Sequence, residues 1–128
     1  MKISFPTQDS ALPEGQYAAT LTGVSAVQQG KQSHKPYIAL TFTITKDGYE
    51  GTRRIRNYSL QPQSVWALRQ TFVNLGGTPP APEEEVDVNA MLEEVIGNRC
   101  VLTLEQREWQ GAMRDNIKAV DAAEGFQF

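Results

Sequence analysis

The segment YIALTFTITK, residues 37–46, constrains the fold more than any other part of the chain. Ile38, Leu40, Phe42 and Ile44 alternate without a break with Tyr37, Ala39, Thr41, Thr43 and Thr45. Successive side chains of an extended chain point to opposite faces, so this run is a strand with one dry face and one wet face. Such a strand needs neighbours along its edges and a cover over its apolar side. The following KDGYEG contains Asp-Gly, a favoured hairpin dipeptide, which turns the chain back. Residues 52–58, TRRIRNY, read as the returning strand. Period two there puts Ile55 on the core face and Thr52, Arg54, Arg56 and Tyr58 together on the opposite, solvent-facing one.

The flanking segments supply the rest of a small sheet. Residues 1–15 hold Pro6, Pro13 and Gly15 with little periodicity and read as an N-terminal arm. Residues 16–28 (QYAATLTGVSAVQ) read as one long first strand, with Gly23 as a bulge or bend where it curls. A polar loop, 28–36, leads into the central strand. Val65, Leu68, Phe72 and Leu75 recur at helical spacing within 62–75, and Gly76-Gly77 stops that helix. A proline-rich acidic loop, TPPAPEEEVD, precedes a short helix expected over 88–95. Residues 99–106 read as a fourth strand with Cys100, Leu102 and Leu104 on one face, and 114–120 as a fifth after the turn REWQGAM. The order is mainly β with one or two helices. It fits a five-stranded OB-fold-like barrel with a helix between strands 3 and 4, spanning residues 16–120 and followed by an acidic, aromatic-ended tail over 121–128.

Composition narrows the class. One domain is expected from 128 residues, 40% hydrophobic and 21% charged, which excludes collagen-like and largely disordered chains. No apolar run reaches the roughly 18 residues that a membrane helix needs. The start, MKISFPTQDS, lacks an apolar signal-peptide segment, and a lone cysteine forms no internal disulfide, so a reducing cytoplasm is expected. The net charge of −3 conceals an asymmetry. Residues 31–69 carry seven Lys/Arg against Asp47 and Glu50, whereas residues 71–128 carry four against eleven acidic residues. A polyanion therefore meets a local basic field on an acidic protein.

In an OB-fold, the outer face of strands 2 and 3 and the loops 1–2 and 4–5 form the usual oligonucleotide surface. That projection gathers Tyr37, Thr41, Arg54, Arg56 and Tyr58 on a platform, with Lys31, His34 and Lys35 in the first loop and Arg107, Trp109 and Arg114 at the last hairpin. Cations among rings suit an unpaired strand, because Lys and Arg neutralise phosphates while rings stack on bases at about 1–3 kcal/mol each. The helix over 62–75 carries only Arg69, which argues against duplex reading. A plainer reading stands beside this one: arginines keep an exposed strand soluble, Trp109 folds back on the barrel, His34 is solvated and Cys100 is a core thiol.

Enzyme chemistry finds little support. The only histidine sits in a polar loop away from any nucleophile pattern, one Cys and one His cannot form a zinc site, and no Walker-type or GxGxxG loop occurs. No cofactor is expected. A separate possibility is a protein–protein module on the same barrel, docking a replication enzyme through its acidic second half.

The segments LPEGQYAATLTGV, YIALTFTITKDGYEGTRRIRNY, LRQTFVNLGG and VIGNRCVLTLEQREWQGAMRDNIKAV resemble a family of small bacteriophage proteins found with recombination and replication genes and regarded as single-stranded DNA-binding. The resemblance covers residues 12–120 and rests on a Gly-x-Tyr opening, a Gly-Tyr-x-Gly hairpin, a Leu-Gly helix end and an aromatic-x-Gly hairpin. It implies an OB-like fold, a role in phage DNA replication or recombination in the host cytoplasm, and no catalytic residues. Its partners would be single-stranded DNA, further copies of itself and replication or recombination proteins, with no membrane. The family's basic and aromatic strand-three positions match Arg54, Arg56 and Tyr58. Many bacterial-type single-strand binders end in a strongly acidic tail closed by phenylalanine. Here VDAAEGFQF has only Asp121 and Glu124, with Phe126 and Phe128.

Overall fold

The computed structural model describes residues 11–123, apart from the side chain of Trp109. Its elements in chain order are β1 (Gly15–Val24), β2 (Gln28–Gln29), β3 (Pro36–Ile44), β4 (Arg53–Ser59), α1 (Trp66–Asn74), α2 (Val88–Glu93), β5 (Arg99–Trp109) and β6 (Ala112–Ala122). The fold is mainly β, as expected, with one antiparallel sheet and two helices between β4 and β5. β3 is central: β4 lies along one edge, and β1 continued by β2 along the other. β5 pairs with β1 and β6 with β5. The expected first strand over 16–28 is thus two pieces, and the register slips between Leu21 and Gly23, where a bend was expected.

The alternation read in β3 holds. Ile38, Leu40, Phe42 and Ile44 are fully buried. They meet Leu21 and Ala19 of β1, Leu102 and Leu104 of β5, and the apolar side of α1, Leu68, Phe72 and Leu75. α1 stops at a tight glycine corner. Gly76 has φ +93°, and the Gly77 N–H donates to the Phe72 carbonyl at 3.0 Å. A Cβ on Gly77 would lie 2.3 Å from the Phe72 ring, so only glycine permits that close approach. α2 begins at Asp87, whose carboxylate accepts the N–H groups of Asn89 (3.0 Å) and Ala90 (3.3 Å). β5 and β6 are longer than expected. Gln110 and Gly111, at φ +51° and +77°, turn the chain in two residues, so REWQGAM is mostly strand.

The facing expected for β4 is inverted. Ile55 is 62% exposed, while Tyr58 is 3% exposed and Arg54 and Arg56 are half-buried. Period two correctly separates Ile55 from the other three but leaves open which set faces the core. Register decides it: Tyr58 pairs with Ile38, Arg56 with Leu40 and Arg54 with Phe42, and directly paired residues share a face. Inside, the Tyr58 hydroxyl and the Thr71 hydroxyl of α1 lie 2.7 Å apart, and the Arg56 guanidinium sits 5.0 Å from the centroid of the Tyr58 ring.

Tyr58→Phe leaves the buried Thr71 hydroxyl without its partner and is expected to cost about 1–3 kcal/mol in urea unfolding. Adding Thr71→Val should cost less than the sum of the two single changes, because both polar partners are then gone.

Candidate nucleic-acid interface

The edges β4 and β6 approach each other without a shared ladder, so the sheet is curled but not a closed barrel. Side chains tie this seam. Asp115 of β6 accepts Arg54 Nε at 2.6 Å and Arg54 Nη2 at 2.9 Å, a bidentate pair, and also accepts the Leu12 N–H at 2.8 Å. Its side chain is only 3% exposed. Burial alone would raise the Asp115 carboxyl, but the Arg54 hydrogen bonds, the Leu12 N–H and the guanidinium charge together hold it below its ordinary range. Farther along, Asn74 of α1 donates to the Val120 carbonyl at 2.9 Å and covers the end of the β6 edge.

Arg54, Arg56 and Tyr58 therefore do not stand on the wet platform. They face the core and the seam. The outward residues of β4 are Arg53, Ile55 and Asn57, which pair with Thr43, Thr41 and Ala39 of β3. Together with Tyr37 they form an open sheet face, of which the sequence reading named only Tyr37 and Thr41. Tyr37 donates its hydroxyl to Gln28 Oε1 at 2.8 Å, which fixes the ring's end against β2. A polar threonine row continues across the sheet, with the Thr22 and Thr43 hydroxyls 2.8 Å apart.

Two segments border this face. The loop before β3 is a compact turn closed by His34 N–H to the Gly30 carbonyl (2.8 Å) and Gly30 N–H to the Lys35 carbonyl (3.1 Å). Lys31, His34 and Lys35 are all exposed on it. At the β5–β6 hairpin, Arg107 and Arg114 are directly opposite partners on the outward side, and both are exposed. Like charges so placed repel. Glu105, 3.0 Å from the Arg107 Nε, offsets this in part. The backbone of Trp109 closes that hairpin, and its side chain lies outside the described residues. The residues expected at the site are thus split: Lys31, Lys35, Tyr37, Arg107 and Arg114 are on or beside the sheet face, and Arg54, Arg56 and Tyr58 lie beneath it.

The arrangement offers cations, hydroxyls and an exposed Ile55. Among the described residues no group of three or more His, Cys, Asp or Glu is placed to hold a metal ion. Cys100 is buried in the core, as read, and burial pushes its thiol up to about 12, so it stays protonated at neutral pH. No described helix is long and apolar enough to cross a membrane. No protein-family model matches the chain, and no curated protein matches it.

Removing the carboxylate charge with Asp115→Asn leaves Arg54 uncompensated at the seam and should cost about 3–5 kcal/mol. Because the folded Asp115 pKa is depressed, its contribution is fully present above the ordinary carboxylate range and disappears as the pH falls through the depressed value. Chemical unfolding between pH 6 and pH 2.5 should show that acid-side loss in the parent chain and a correspondingly smaller one in the variant.

Proposed function

We propose that the chain is a non-enzymatic, sequence-independent single-stranded DNA-binding protein acting in phage DNA replication or recombination. It would be an OB-fold variant. The strand order β4-β3-β1-β5-β6, with its helices inserted between β4 and β5, supports that reading, since OB-folds are five-stranded, partly open barrels. In this scheme β2 is an extension of β1 along the same edge of β3.

The observation that carries the proposal is the set of exposed cations around one open sheet face. Arg53 on the outward face, Lys31 and Lys35 on the loop before β3, and Arg107 and Arg114 on the β5–β6 hairpin border the strip of Tyr37, Thr41 and Ile55. Phosphates are neutralised at the borders, and bases rest on Tyr37 and Ile55. Arg54, Arg56 and Tyr58 support the face from below. Further copies of the chain would cover a longer strand side by side. The phage setting rests on the family resemblance.

Titration of fluorescent oligo-dT across salt tests this. Replacing Arg53, Lys31 and Lys35 together by Gln should weaken binding on every sequence and reduce the slope of log K against log salt by about 2, at roughly 0.7 per phosphate contact on single strands. Loss of binding at low salt in the parent chain, or a slope near zero, overturns the reading. Equal affinity for duplex of the same length does so as well.

A further inference from the structure

On the helix side of the sheet, a groove of about 510 Å³ opens between α1, the start of α2 and the loop over 78–87. Leu60, Val65, Leu68, Pro80, Val86 and Met91 line it. A second hollow of about 380 Å³ shares Pro80, Val86 and Met91, so the loop stands off the helices along much of its length. The rim is acidic. Residues 78–98 contain Glu83, Glu84, Glu85, Asp87, Glu93 and Glu94, all exposed, and no Lys or Arg. Two of these have local duties: Asp87 caps α2, and Glu84 accepts the Ala81 N–H at 3.0 Å. Glu83, Glu85, Glu93 and Glu94 form no ion pair among the described residues.

We infer that this groove receives a short basic amphipathic helix of another protein. An apolar trough that removes two or three side chains from water supplies the affinity, and the surrounding carboxylates select for positive charge. Pro79, Pro80 and Pro82 have no N–H, so that wall offers a poor ladder for an added strand, and recognition falls to side chains. Arg69 is the one cation among the described lining residues, too little to mark the trough as a site for a small anion. A second copy of this chain does not supply the occupant from its described residues. α1 and α2 carry Arg69 alone between them, and the basic loop with Lys31 and Lys35 has only Val27 as a nearby exposed apolar side chain. The proposal is independent of DNA binding, which it places on the other side of the sheet.

A random-peptide display selection on the full chain tests it. The enriched peptides should carry a net positive charge with apolar residues spaced at i, i+3 or i+4, and i+7. Val86→Asp, at a 46% exposed position, should weaken them at least tenfold even though it adds negative charge, and Glu83→Lys/Glu85→Lys/Glu93→Lys should do the same. Both variants should keep the parent circular dichroism, and Val86→Asp should keep the parent oligo-dT affinity. The inference is overturned if no peptide is enriched, if enriched peptides are acidic or unpatterned, or if Val86→Asp binds them as well as the parent chain. Concentration-dependent self-association that Val86→Asp abolishes overturns it too, in favour of a second copy.

Discussion

The pairing of Arg54 with Phe42 is the constraint on which the layout of the sheet depends. The hairpin between β3 and β4 fixes it, through Ile44 N–H to the Thr52 carbonyl (2.8 Å) and Gly51 N–H to the Ile44 carbonyl (2.9 Å). Whatever stands opposite Phe42 has to point inward, and here that is a guanidinium. Slipping the register by one residue would bury Ile55, worth about 1.5–3 kcal/mol. It would also expel the Tyr58 ring, break its hydroxyl contact with Thr71 and strand Asp115 without Arg54. The losses exceed the gain, so the sheet buries a tyrosine and two arginine stems and leaves an isoleucine in water.

That choice determines where positive charge is available. Two of the three clustered arginines are spent on internal contacts, one with Asp115 and one over the Tyr58 ring. The cationic border of the sheet face comes instead from residues scattered along the chain: Lys31 and Lys35 before β3, Arg53 at the start of β4, and Arg107 and Arg114 across the last hairpin. Six carboxylates collect beside the helices. A large part of the acidic excess and the cationic border thus lie on different sides of one sheet, and net charge alone describes neither.

Much of this was legible in the sequence because it is local. The alternation of residues 37–46, the Gly76-Gly77 stop and the apolar spacing of Leu68, Phe72 and Leu75 each depend on neighbours within a few positions. The two-residue turn at Gln110-Gly111 was hidden because Gln is not a usual left-handed residue, and the strands around it read too short. The facing of β4 was not legible either. With one isoleucine against an alternating set of two arginines and a tyrosine, hydrophobicity favours the wrong side. The fact that reverses it is a carboxylate 61 positions away, and no spacing rule reaches that far. Arg53, Ile55 and Asn57 were missed at the site for the same reason.

The seam ion pair also links the hidden charges to the exposed ones. Arg53 and Arg114 each precede, by one residue, a member of the inward pair Arg54–Asp115. Alternation along β4 and β6 therefore sends Arg53 and Arg114 outward from the same point where the two edges are clasped. A backbone ladder would hold those edges along their whole length. Here a bidentate contact does so at one level, and Asn74 on the Val120 carbonyl at another. The two outward residues thus flank the Arg54–Asp115 pair, whose donors and acceptors are fixed in a planar fork. A lysine at position 54 would keep the charge but not that geometry. The three neighbouring arginines of residues 53–56 are thus not one feature: one faces solvent, one clasps the seam, and one packs on a ring.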